Sequence, residues 1–255
     1  MKNILFLSLF LAYVQTASAQ LSELLNRNQY MAQIQLVDEF FDRFNNKEVR
    51  PDVSKEITKD RKSNILLLFD LALFKSKKDS LFIEAEKFAE KVVSDSVTIS
   101  YRDTAWYAKA VCRSIFKKQK VDFTLYLKVE EREHGMYKWV ITKAEGNVLS
   151  LKSEKKHKQQ MIMPDDHETN FMSLFRMTDD TSEYITDFTS SSFEVDQTSV
   201  FLALVKMGIL KIEYVKDLQF FFNQVPGYQF SIKYVERDNM NAGWLIHSFC
   251  LYPCN

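Results

Sequence analysis

Hydrophobic positions along the chain follow two rhythms, and the change between them falls near residue 100. Before it, Leu36, Val37, Phe40, Phe41 and Phe44 recur at three- and four-residue steps, which puts one apolar face on a helix over about residues 28 to 46. The Asn45-Asn46 pair, ahead of Pro51, ends it. Ile65 to Phe74 and Leu81 to Val93 read as two further helices, the second with Phe82, Ala85, Phe88, Ala89 and Val92 at helical spacing. From Trp106 the period shortens to two. Val121, Phe123, Leu125, Leu127 and Val129 alternate with Asp122, Thr124, Tyr126, Lys128 and Glu130, as a strand with one buried face requires. A turn at residues 132 to 136, containing Gly135, leads to a partner strand with Tyr137, Trp139 and Ile141; Trp106 to Phe116 precedes both as a third strand.

The second half repeats this order in shorter form. A polar connector at residues 147 to 164, holding Lys152, Glu154, Lys155, Lys156, His157 and Lys158, ends at Pro164. Asp165 with Glu168 is a capping-box pattern opening a helix that carries Phe171, Leu174 and Phe175, and Ser199 to Met207 is another helix before Gly208. Ile212 to Val225, Tyr228 to Glu236 and Gly243 to Tyr252 then form a second meander, turning at Pro226-Gly227 and at Asn241 to Gly243. Setting Phe123 on Phe230, Val129 on Val235 and Trp139 on Trp244 gives offsets of 107, 106 and 105, the drift expected of two diverged copies. The expected architecture is α+β: helices packed on curved antiparallel meanders, in tandem related modules at 20–146 and 165–255.

Helices followed by a meandering antiparallel sheet resemble the nuclear transport factor two superfamily, in which helices pack into a curved sheet to make a cone. A cystatin-like arrangement, one helix against a meander, resembles residues 165 to 252 almost as well. The cone likeness implies that residues entering the first sheet, Tyr101, Arg102, Asp103 and Trp106, reach a cavity. His247 alternates with Leu245, Phe249 and Leu251 on one apolar strand face, where it is a hydrogen-bonded core residue or, if the cone is open, a pocket base. The likeness supplies no chemistry by itself, because this superfamily holds both enzymes and inert binding modules.

The N-terminus adds a location. Lys2, the apolar run Ile4 to Val14 and Ala17-Ser18-Ala19 have the form of a signal peptide over residues 1–19. That run of eleven residues, broken only by Ser8, falls far short of the roughly 30 Å hydrocarbon core, and no later run approaches the ~18 residues of a membrane span. An exported, periplasmic or extracellular protein is expected, and the leader resembles those of exported bacterial proteins. In such a compartment Cys112, Cys250 and Cys254 are candidates for a disulfide. Three is odd, so at least one is unpaired within the chain.

Composition removes several functions. The 34 basic and 34 acidic residues balance, so no electrostatic attraction to nucleic acid is built in. Only 5 glycines occur, none before Gly135, and no phosphate-cradling loop can be assembled from them. The four histidines, His134, His157, His167 and His247, are scattered over unlike elements, with no HExxH or paired CxxC. Asp165-Asp166-His167-Glu168 concentrates metal-ligand types, but helix capping accounts for the acids more simply. Ser114 and Ser153 each open an SxxK match without the companion motifs of that chemistry.

What stands out is aromatic: 21 Phe, 11 Tyr and 3 Trp. In Phe220-Phe221-Phe222, alternation sends Phe221 to the face opposite its neighbours, where it marks an interaction surface. The reading is therefore an exported non-catalytic binding or interaction protein of the bacterial envelope, with no cofactor and no metal. Its partner is a protein or a small molecule, or a second copy in a homodimer. The alternative is a small-molecule enzyme, a hydrolase or isomerase, with Asp103, Tyr101 or His247 as acid or base.

Overall fold

A computed structural model describes residues 37–47, 60–150, 189–190, 192–237 and 241–252. The leader, the predicted helix opening at Asp165, most of the connector and Cys254 lie outside the described residues.

The helices form where side chains satisfy their first free N–H groups. In α1, Val37–Phe44, the residues Val37, Phe40, Phe41 and Phe44 are all buried, the face that the spacing predicts. Helix α2, Arg61–Leu66, starts at Asp60, whose carboxylate accepts the N–H groups of Lys62 and Ser63. Helix α3, Ser80–Ser94, starts at Asp79 and buries Ala85, Phe88, Ala89 and Val92. Helix α4, Gln197–Lys206, is capped by Asp196 and buries Phe201. The helix predicted over Ile65 to Phe74 is corrected: α2 ends at Leu66, and Asp70 caps a short turn at Leu71–Leu73 by accepting the Ala72 N–H. Between them the chain extends, with Phe69 bridging Ile246 in parallel.

The described residues hold six strands: β1 Trp106–Phe116, β2 Gln119–Arg132, β3 Met136–Glu145, β4 Leu210–Phe222, β5 Tyr228–Val235 and β6 Gly243–Leu251. Each matches a predicted strand. They form one antiparallel sheet in the order β3-β2-β1-β4-β5-β6. The two meanders assigned to separate modules thus do not carry separate sheets, because β1 pairs with β4 along its whole length, from Trp106↔Phe222 to Phe116↔Leu210. β1 and β4 lie at the centre and each meander runs outward from them.

One face of the sheet carries the apolar rows. On β1 these are Trp106, Ala108, Ala110 and Cys112, and on β2 Phe123, Leu125 and Val129, all buried. Helices α1 and α3 cover the end that holds Trp106, Phe222 and Phe230: Phe40 and Phe44 meet Phe230, and Phe88 meets Tyr228, Phe230 and Phe249. Helix α4 covers the other end, with Phe201 on Phe123. The helix preceding each meander lies over the other meander. Thr198 and Gln197 of α4 also accept the N–H groups of Ala144 and Gly146 where β3 ends. Gly146 passes so close to β2 that a Cβ would stand 2.7 Å from that of Phe123, so no larger residue fits without moving the strand.

The outer face is polar and laced by cross-strand pairs. Arg113 and Lys216 both reach Asp122, and Lys233 reaches Asp217. Among the described residues no helix is long and apolar enough to cross a membrane.

Candidate ligand pocket

The segment between α3 and β1 is pinned before it reaches the sheet. Gln224 accepts the Ser100 N–H at 2.7 Å and donates to the Ser100 carbonyl at 3.1 Å, Ser100 Oγ accepts the Arg102 N–H, and Asp103 accepts the Ala105 N–H at 2.7 Å. This tight turn presents Tyr101 and Arg102 beside the first residue of β1. The Tyr101 ring lies on Phe41 of α1, centroids 3.7 Å apart, and its hydroxyl donates to Asp38. Burial first, and then Asp38, push the Tyr101 hydroxyl well above the ordinary tyrosine range, so it keeps its proton at physiological pH.

Trp106 is fixed on both sides. Its Nε1–H donates to the Tyr101 carbonyl at 3.3 Å, and its ring stacks on Phe222 at 5.2 Å. Alternation then builds a row across three strands, since Val129 of β2 pairs with Trp139 of β3 on the face that carries Trp106. The Trp139 ring meets Trp106 edge to face at 4.7 Å. Tyr137 lies two residues along the same face, and Gly135 and Met136 close the end at the β2–β3 turn. These groups, with Arg102 and Lys138, line a cavity of about 550 Å³, within the usual size of small-molecule sites. Tyr101 and Trp139 are each 40% exposed and Met136 61%, so the aromatic walls open to solvent. Arg102 stands over Tyr137, its guanidinium carbon 6.0 Å from the ring centre.

Of the four ligand-binding candidates from the sequence, the structure brings Tyr101 and Trp106 together in this cavity. Asp103 is not in the lining; its carboxylate holds the turn. His247 lies on β6, three strand spacings from β1, or roughly 14 Å across the sheet. Its expected place on an apolar face is also corrected. Ser231 pairs with Ser248 but Ile232 with Ile246, so His247 is the extra residue of a bulge. Trp244, Leu245 and Ile246 are buried in succession and His247 is exposed. Its Nδ1 lies 3.7 Å from Asp70, a buried carboxylate also paired with Arg237 at 2.8 Å. That cluster ties the Leu68–Asp70 segment to the sheet edge, where Ile246 donates to the Leu68 carbonyl and Asp70 to that of Ile246.

Phe221 faces away from Phe220 and Phe222 and stacks parallel on Tyr107, centroids 4.7 Å apart. Cys112 is a free, buried thiol that burial pushes up to about 11, and Cys250 is in a disulfide, which therefore excludes Cys112. Tyr137, Trp139 and Met136 were legible only as strand residues. Their signal was the aromatic pair on alternate positions of a strand ending at a glycine turn, but the meeting with Trp106 depends on β1–β2–β3 register. Among the described residues no group of three or more His, Cys, Asp or Glu is placed to hold a metal ion. No known protein family, curated protein or solved structure matches the chain.

Proposed function

We propose that this protein is an exported, non-catalytic binding protein of the bacterial envelope, with the Tyr101–Trp106–Trp139 cavity as its ligand site. The observation that carries this reading is an open cavity walled by four aromatic rings, two of them well exposed. Exposed tryptophan against a buried tryptophan is an arrangement that covering by an apolar ligand stabilises. The leader-like residues 1–19 support export, and the order of helices before meanders, in both halves of a palindromic sheet, supports descent from a duplicated unit resembling the nuclear transport factor two superfamily. An enzyme would need an acid or base in the cavity. Of Asp103, Tyr101 and His247 only Tyr101 lines it, and Asp38 already engages its hydroxyl.

The test is titration with N-phenyl-1-naphthylamine, a neutral aromatic probe, followed by its emission. Saturable binding is expected, weakened at least tenfold by Trp139→Ala, with a melting temperature within a few degrees of the parent because Trp139 is half-exposed. Equal binding by the variant would sink the assignment of this cavity.

A further inference from the structure

The cavity carries an asymmetry that its aromatic walls do not explain. Arg102 and Lys138 both border it, but they are not equivalent. Tyr137 and Trp139 share the inner face with Val129, so Lys138, paired across the strands with Glu130, projects from the other face. Arg102 is then the one cation on the cavity side among these residues.

Its guanidinium has no ion pair among the described residues; its chain neighbour Asp103 accepts the Ala105 N–H, and Asp38 of α1 accepts the Tyr101 hydroxyl. The guanidinium carbon stands 6.0 Å from the Tyr137 ring centre. Its N–H groups make no hydrogen bond to a described residue, and they form a fork of donors matched to carboxylate, sulfonate or phosphate oxygens. Meanwhile the cavity floor offers Trp106 and Val129, both buried, with Trp139 as a side wall. A ligand matching both features has an apolar, flat body and a single anionic group at one end.

We propose, building on the assignment of this cavity as the ligand site, that it selects amphiphilic monoanions, the apolar body lying against Trp106 and Trp139 and the anionic group held by Arg102. A charge-assisted hydrogen bond at a partly exposed site is worth about tenfold in affinity. A neutral ligand of the same body gains nothing from Arg102.

Two probes share one body and differ in charge: 1-anilinonaphthalene-8-sulfonate and neutral N-phenyl-1-naphthylamine. With the full mature chain, Arg102→Gln is expected to weaken the sulfonate about tenfold and to leave the neutral probe within twofold. Arg102→Lys, which keeps charge without the fork, falls between. Trp139→Ala weakens both probes. If Arg102→Gln changes both probes equally or neither, while Trp139→Ala still weakens both, the cavity stands as the site and the anion selectivity is overturned. If Trp139→Ala weakens neither, the cavity itself is wrong and the selectivity falls with it.

Discussion

Asp70 shows how one residue can decide whether a sheet edge holds. It is 4% exposed, and a carboxylate so placed persists only with partners. Burial alone would raise its pKa, but the Arg237 hydrogen bond, the Ala72 N–H and the charges of Arg237 and His247 outweigh it and hold the group below the ordinary aspartate range. A depressed folded pKa means that the stabilisation is present above the unfolded value, roughly 3.9, and is lost as pH falls through the folded one. Stability is therefore expected to drop as the solution is taken from about pH 4 downward. Asp70→Asn should flatten that part of the curve while costing about 1–2 kcal/mol at neutral pH, since the part-exposed Arg237 loses its anion but keeps water and Asn241 as partners. Urea melts at several pH values would show this, and parallel curves for parent and variant would mean that other carboxylates govern acid unfolding. Asp70 and Arg237 did not stand out in the sequence, and His247 stood out for another role, because the three meet only once the chain past α2 lies along β6.

Among the elements, strands were far more legible than the segments joining them. Strict alternation in β2 leaves only one face to bury, so Phe123, Leu125 and Val129 could be assigned inward from sequence. The run Ile65 to Phe74 is apolar nearly throughout and has no period to choose helix over extended chain; the pairing of Phe69 with Ile246 decides it from outside. Likewise the bulge at His247 inverts the facing of the residues before it, which no local pattern announces. Phe221 is the case where alternation sufficed, and its partner Tyr107 comes from the β1–β4 register. Phe221→Ser removes a parallel stack worth roughly 0.5–1.5 kcal/mol, so the chain should still fold. If the outer face is an interaction surface, as the sequence suggested, sedimentation equilibrium should show weaker self-association in this variant. Unchanged association would leave the ring as cover for Tyr107 alone.

At the scale of the molecule, length and repetition pointed to two modules, and at this size two unfolding units are ordinary. The register between β1 and β4 argues otherwise. Phe222, fully buried, touches Phe40 and Phe41 of α1, Trp106 of β1 and Phe230 of β5, so the aromatic centre is shared between the halves. Helices α3 and α4 each cover the meander of the other half, so removing either half strips the cover from what remains. Unfolding one half alone would expose the central edge of the sheet and these apolar rows. A single cooperative transition is therefore expected, with calorimetric and van't Hoff enthalpies equal. Trp244→Phe restricts tryptophan emission to Trp106 and Trp139, and its melt should coincide with the loss of far-ultraviolet dichroism from the whole sheet. Phe222→Ala should lower that one transition by about 3–5 kcal/mol without splitting it. Two separated transitions, with the emission of Trp106 and Trp139 following only one, would show that the halves fold independently despite their common sheet.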